Sequence, residues 1–590
     1  MSRTKSASAL ALAVALLGGC EGRNLGVPPN RAGLYFPAAM TLDPRVPDGT
    51  PARWLMVANA NSALNYNAGS LVAVDLDRFF DSWMNCANLC LLGVDDPTCS
   101  AEAKADACGI KATVRDVGED VEPEAPCRHV AFRPQVIECE DTFVLAEDEA
   151  SRLGSGDRSG ASPVSVRMGS FITALEGWVE TPGSGEALLL AAVKADPSIT
   201  WIELSGGLEP YDPADPYAPT SLSLGCGQPD PDLDDPGRCS RRTHALRFPF
   251  DDSAFPRIGP EPTNILVSSS APWAYVSFST TPEVILIDLA AAVPGAMPAQ
   301  GQRATKPMIV DARNIFIVGE QASGGGWGLA ERPCLASEPP NLSADCTRPM
   351  LYGSFRTNLL VAKMFPDTVD PLTYADAIAA LEQQKQGASP AEVAALDAEI
   401  ERLRGLAQSC LGDDNVGEPG AILCDPQLFF AGFVRSAGFD SGTGAGSLGD
   451  IAFSRDGRRL FAVQTAPSSL LYIDTSVNER GEVRDEAAGV VEMCSGPTAM
   501  ALFEDGANEY AAVTCPTPSE LFIVDLSGFR VVANVPTGAG PHPIVVDRAR
   551  RLLYVGNTLD RTVSVIDVAK DRPTRFAEIA RVGLQQPYRR

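Results

Sequence analysis

Residues 538–568 read GAGPHPIVVDRARRLLYVGNTLDRTVSVIDV. Three short apolar strands follow one another here, with cores at 544–546, 552–555 and 563–568, and turn residues separate them. Residues 496–526, GPTAMALFEDGANEYAAVTCPTPSELFIVDL, repeat the pattern. Asp525 of the IVDL segment and Asp567 of the VIDV segment stand 42 positions apart. A period near forty with several strands per unit is the signature of a β-propeller. One such unit cannot bury both of its faces, so neighbours must stack around an axis.

The same strand–turn–strand rhythm recurs upstream. Residues 449–475 carry it with Asp456-Gly457 as the hairpin turn, and 262–289 carry it with the same I-D-L ending. Residues 166–204 and 34–76 match as well, with fainter units around 129–147 and between Met308 and Phe365. The expectation is an all-β chain folded as a propeller, most simply of seven blades, with six and eight as neighbouring counts.

The two C-terminal repeats resemble the YVTN family of β-propeller repeats. The residues that carry the likeness are Leu553-Tyr554-Val555-Gly556-Asn557 and Val563-Ser564-Val565-Ile566-Asp567. Gly556 stands where that family has Thr, and the preceding repeat has Cys515 at the Asn position. Elsewhere the blades rest on strand pattern alone.

Arg3 and Lys5 precede an apolar run at 9–17 that is too short to span a bilayer. Leu17-Gly18-Gly19-Cys20 follows and resembles a bacterial lipobox, which implies cleavage before Cys20 and lipidation of that residue. The rival reading is an ordinary secretory signal cut after Gly19. Residues 21–30, EGRNLGVPPN, read as a tether. Glu21 is not Asp, which by analogy with enteric bacteria points to the outer membrane. The chain divides into a signal peptide (1–19), a lipidated Cys and tether (20–31), the propeller (32–582) and a tail (583–590). Insertions fall at about 77–127, 205–257, 320–349 and 366–427.

Fifteen cysteines minus Cys20 leave an even number, as a disulfide-bonded exported protein requires. Close pairs are Cys226/Cys239, Cys334/Cys346, Cys410/Cys424 and Cys494/Cys515. Six more cluster at Cys86, Cys90, Cys99, Cys108, Cys127 and Cys139, and spacing does not choose their partners. Cys494 aligns with Gly538 and Cys515 with Asn557, positions at the ends of neighbouring antiparallel strands, within bridging reach.

A net charge of −27 argues against nucleic acid as a partner. Three histidines, at 129, 244 and 542, are too few and too scattered for a multi-histidine metal centre. No G-x-S-x-G elbow, phosphate-binding loop or C-x-x-C-H haem motif occurs. The loop CGQPDPDLDDPGRC places Asp230, Asp232 and Asp234 in alternation, a pattern that can converge on calcium. It lacks the full EF-hand pattern, and a solvated acidic loop is the favoured reading. Residues 371–408 switch to helical spacing and read as a helical hairpin, with Ser389-Pro390 starting its second helix.

By resemblance, one propeller face carries the loops around the channel mouth. Its candidate binding residues are Asn59, Asn61, Gln464, Thr514, His542, Asn557, Asp560 and Arg561. Each is weighed against a role in satisfying turn backbone groups, and the aspartates of the I-D-L/V motifs are read as turn caps. The functional expectation is a non-enzymatic binding or scaffold protein, held in the bacterial envelope by its lipid and engaging a protein or glycan without a cofactor. The alternatives are a propeller-type hydrolase or lactonase, and a structural subunit of an envelope assembly.

Overall fold

The structure is a computed structural model that describes residues 33–61, 68–87, 127–130, 133–146, 164–215, 218–229, 238–246, 261–292, 305–315, 325–333, 349–356, 360–367, 427–435, 446–479 and 482–583, with single positions between 378 and 401. Seven antiparallel sheets follow one another along the chain. The chain is a seven-bladed β-propeller.

Blade 1 comprises β1 (Pro37–Leu42), β2 (Trp54–Asn59), β3 (Gly69–Asp75) and β6 (Ser165–Met168). The connection from β3 to β6 holds α1 (Leu76–Ala87), β4 (Cys127–Val130), β5 (Arg133–Cys139) and α2 (Asp141–Val144). Blade 2 follows with β7 (Ile172–Trp178), β8 (Ala187–Val193), β9 (Ser198–Ser205) and β10 (Ser223–Gly225), then α3 (Arg241–His244). Blade 3 is β11 (Pro262–Val267), β12 (Trp273–Phe278), β13 (Glu283–Ala292) and β14 (Thr305–Asn314). Blade 4 is β15 (Gly326–Glu331), β16 (Leu351–Phe355), β17 (Leu360–Asp367) and β18 (Gln427–Arg435). Blade 5 is β19 (Ser447–Phe453), β20 (Arg459–Ala466), β21 (Ser469–Asp474) and β22 (Glu486–Glu492). Blade 6 is β23 (Met500–Asp505), β24 (Asn508–Cys515), β25 (Glu520–Asp525) and β26 (Arg530–Pro536). Blade 7 is β27 (Pro541–Asp547), β28 (Leu552–Asn557), β29 (Thr562–Asp567) and β30 (Ala577–Val582).

Sequence pattern sorts the strands by depth. Middle strands such as WLMVAN (β2), ALLLAAV (β8) and LLYVGN (β28) are buried along their whole length, because a neighbouring blade covers each face. Outer strands alternate, as EAAGVVE (β22) and RVVANVP (β26) do, because only one side of the pleat meets protein. Apolar side chains fill the wedge between each pair of adjacent blades. In the wedge that closes the ring, Tyr554, Val563 and Val565 of blade 7 meet Leu55, Val57 and Val72 of blade 1.

Hydroxyls stitch the blades near the axis. In blades 3 to 6 the penultimate residue of the second strand donates to a backbone carbonyl at the start of the next blade: Ser277 to Trp327 at 3.0 Å, Ser354 to Gly449 at 2.6 Å, Thr465 to Pro497 at 3.1 Å and Thr514 to His542 at 3.4 Å. Blade 7 has Gly556 in that position. A Cβ there would stand 2.6 Å from Pro543 Cγ and 3.0 Å from the Pro37 carbonyl, so the ring closes with room for hydrogen only.

The sequence units map onto blades with corrections: the unit between Met308 and Phe365 begins in β14, the outer strand of blade 3, and runs on into blade 4. Residues 129–147, read as a possible blade, instead form a hairpin and a short helix. β5 pairs with β30 in parallel, in the register Ala580↔Ile137, Arg581↔Glu138 and Val582↔Cys139. β4 pairs with β5, so blade 7 gains two strands from the blade 1 insertion. The reason is edge chemistry: β30 would otherwise present an unpaired ladder at the rim. The segment taken as the 320–349 insertion contains β15, the innermost strand of blade 4.

Turn aspartates behave as read. Asp288, Asp525 and Asp567 each accept the amide two residues on, from Ala290, Ser527 and Ala569, at 2.9–3.0 Å. Among the described positions, 378, 379, 381–383, 393, 396, 397, 400 and 401 are helical, and Lys385 bridges Glu382 at 3.1 Å and Asp397 at 2.5 Å. No helix among the described residues is long and apolar enough to cross a membrane.

Candidate functional site

Seven inner strands run in the same sense around the axis, so their N-terminal ends collect at one mouth. The register between inner and second strand slips near that end in blades 1, 2, 3, 4, 5 and 7. Such bulges bend the strand and re-aim side chains. They border a cavity of about 360 Å³ to which every inner-strand segment contributes. Its wall includes Ala38–Met40, Ile172–Glu176, Thr263, Asn264, Trp327, Asp450, Met500 and His542–Ile544.

Two carboxylates enter this space from well-separated blades. Glu176 interrupts the apolar run ITAL in β7, and Asp450 sits at the bulge of β19. Asp450 is held by the amides of Ile451 at 3.0 Å and Met500 at 3.2 Å, the second from blade 6. The Glu176 carboxylate accepts no hydrogen bond among the described residues. Burial, reinforced by the Asp450 charge, pushes Glu176 up to about 7. Burial raises Asp450 to about 6 against the pull of its two amides.

His542 lines the same cavity, with its Nδ1 buried and without a hydrogen-bond partner among the described residues. Burial lowers its pKa, so it is neutral at pH 7. Lys194 is the cation of the wall, and Glu261 engages it at 2.9 Å. A second hollow of about 340 Å³ adjoins the C-terminal ends of inner strands in blades 5, 6 and 7. Ion pairs rim it: Arg455 with Glu504 at 3.0 Å and Arg548 with Asp48 at 3.3 Å.

Of the eight candidate binding residues, His542 is the one that borders the cavity. Asn59 is buried, accepts from the Tyr35 amide at 2.8 Å and donates to Ser70 Oγ at 3.0 Å. Asn557 is buried and donates to Thr562 Oγ1 at 2.9 Å and Ser564 Oγ at 2.8 Å. Gln464 accepts from Ser469 Oγ at 3.0 Å, and Asn61 donates to Ser170 Oγ at 3.0 Å. Thr514 is the blade 6 stitch, and Asp560 accepts the Ala539 amide at 2.5 Å. Arg561 adopts φ 61° and lays its guanidinium 5.3 Å from the Phe36 ring centroid. Seven of the eight thus hold turns, strand ends or blade contacts.

Sequence reasoning passed over Glu176 and Asp450. The signal was present in one form: a lone acid inside an otherwise apolar strand, where a carboxylate is costly to bury. Which face each strand turned to the axis was not readable.

Cys494 is bonded to Cys515, Cys226 to Cys239 and Cys127 to Cys139. At the blade 7 counterpart of the first pair, a Cβ on Gly538 would lie 2.6 Å from Asn557 Cγ. One juxtaposition is therefore filled by sulfurs in blade 6 and by an amide in blade 7. Three disulfides point to a compartment outside the cytoplasm. Cys20, Cys334, Cys346, Cys410, Cys424, Cys90, Cys99 and Cys108 lie outside the described residues, as do the Cys86 side chain and Asp230, Asp232 and Asp234. Among the described residues no group of three or more His, Cys, Asp or Glu is placed to hold a metal ion.

No protein-family model and no curated protein matches the chain. Solved structures similar to it include Kuenenia stuttgartiensis hydrazine synthase, at 12% identity and TM-score 0.41, covering 93% of this chain and 99% of that one. Another is a protein from Lactobacillus plantarum, at 10% identity and TM-score 0.37, covering 86% of each chain. The propeller assignment stands on the chain's own seven sheets.

Proposed function

We propose that this chain is an exported, lipid-anchored propeller of the YVTN-repeat type. In this reading it acts as a non-enzymatic binding protein of the bacterial envelope, and the mouth of its channel receives a group of its ligand. The observation that carries the reading is the cavity itself. Seven inner strands build one concave site, and it contains carboxylate charge that its wall does not neutralise. The lipobox ending in Cys20 supports the anchor, and the disulfides support export.

Two measurements test this. Radiolabelled palmitate should enter the wild-type protein in cells and not C20S; equal labelling removes the anchor. Cross-linking in isolated envelopes should recover a partner with wild type and lose it with T263W, which fills the cavity; unchanged recovery removes the channel from the binding surface.

The carboxylate pair favours a second reading, a channel-mouth hydrolase. A carboxyl near 7 is poised to exchange protons at neutral pH. Turnover of simple lactones or esters that disappears in E176Q would install that reading; no turnover leaves the binding protein.

A further inference from the structure

We propose that the channel site is selective for a compact protonated amine, held between Glu176 of blade 2 and Asp450 of blade 5. This deepens the reading of the channel as a binding site and rests on it.

Charge bookkeeping inside the cavity leads to this ligand class. The titratable and charged groups that face the space are Glu176, Asp450, His542 and Lys194. Lys194 is already engaged by Glu261. His542 stays neutral, so it supplies no counter-charge. Two carboxylates thus face one cavity whose lysine is already paired, an arrangement that costs free energy unless a proton or a ligand cation neutralises it.

Geometry narrows the cation. A hard divalent ion wants six or more oxygens, and the described residues bring no third acid to this pair. An ammonium group needs few acceptors and carries its own donors. Asp450 is fixed by two amides and presents its remaining lone pairs. Glu176 has no competing donor among the described residues. Beside the acids, Met40, Met500, Phe171 and Ile544 offer an apolar wall for the carbon skeleton. The volume of about 360 Å³ suits a small molecule or one side-chain terminus. The unpartnered His542 Nδ1 gives the wall one further polar atom to satisfy.

The test uses the chain from residue 21 with ¹³C-methyl methionine, because the Met40 and Met500 methyls report occupancy of the cavity. Butylammonium, a lysine tripeptide blocked at both ends, neutral 1-butanol and calcium chloride are titrated separately at pH 8. Butylammonium or the lysine peptide should shift both methyls, and which of the two does so distinguishes a free amine from a protein side chain. The affinity should fall at least tenfold in E176Q and in D450N, and at least tenfold in wild type at pH 5. Circular dichroism melting verifies that both variants are folded. Equal binding of 1-butanol, or binding unchanged in both variants, overturns the amine and leaves a channel site of another class. Calcium as the sole effective probe replaces the amine with a metal ion. Silence from all probes overturns the amine; T263W then decides the channel reading separately, through its effect on envelope cross-linking.

Discussion

The Arg133 guanidinium, in the hairpin inserted between the third and fourth strands of blade 1, lies 2.6 Å from the carboxylate of Glu578 in the last strand of blade 7. Glu578 is buried, and Arg581 also binds it, through Nε at 3.0 Å. The first and last blades are therefore joined outside their apolar wedge as well as within it, by a parallel strand pair and a buried charge. Replacing Glu578 by Ala takes the carboxylate from two arginines, and such a loss costs about 3–5 kcal/mol. Arg133 is partly exposed, and R133A should cost about 1 kcal/mol. Urea denaturation of both variants checks the order; equal costs would show that the hairpin, not Arg581, dominates.

Gly556 fills the position that blades 3 to 6 give to a hydroxyl. G556T should not restore the stitch. Its Cβ would meet Pro543 and the Pro37 carbonyl, and overpacking of this kind costs about 1–3 kcal/mol. T514V, which removes the hydroxyl and keeps the side-chain volume, should cost about 1–3 kcal/mol. Thermal melts of the two variants measure both; a stabilised G556T would refute the close approach.

Cys494–Cys515 closes a loop with a sequence separation of 21. The double substitution to Ala should destabilise by about 2–4 kcal/mol. Non-reducing peptide mapping should recover 494 linked to 515, 226 to 239 and 127 to 139. Free thiol at 494 and 515 in the oxidised protein would contradict the structure.

Stability should carry the signature of the channel acids. Glu176 titrates near 7 in the folded protein and near 4.5 in the unfolded chain. Between these values the folded state holds the extra proton, so this group's contribution to stability falls as pH rises. His244, which burial lowers to about 4, and His542 act in the opposite sense on acidification. The decisive quantity is therefore the difference between E176Q and wild type. E176Q should be the more stable at pH 8, and the gap should shrink at pH 5. A gap that is constant with pH would place the Glu176 pKa in the ordinary range.

Asn59 and Asn557 should prove structural. Each peg anchors the turn between second and third strands through a buried side-chain amide. N557A should cost about 1–3 kcal/mol, read by urea denaturation, and leave occupancy of the cavity, read by the Met methyls, unchanged. A loss of binding without a loss of stability would return Asn557 to the binding face.

Repeat spacing, middle-strand apolarity and the turn aspartates lie in local sequence, so the blades at 449–475, 496–526 and 538–568 were legible from residues alone. The unit at 129–147 misled because strand pattern declares a strand but not its partner. Its partner, β30, is more than four hundred residues away. Candidate site residues misled for a related reason: Asn, Thr and Asp at a mouth satisfy turns as readily as they meet ligands.

By itself the sequence determined that the chain is a ring of repeated strand units, because period two within strands and a period near forty between them are covalent facts. It also carries, at 17–20, a stretch that resembles a lipobox. Only the tertiary structure decided that blade 7 borrows a hairpin from blade 1, that Gly556 must lack a side chain, and that Glu176 and Asp450 share one cavity. These depend on which faces meet when the ring closes, and closure joins residues whose separation in the chain leaves no local trace.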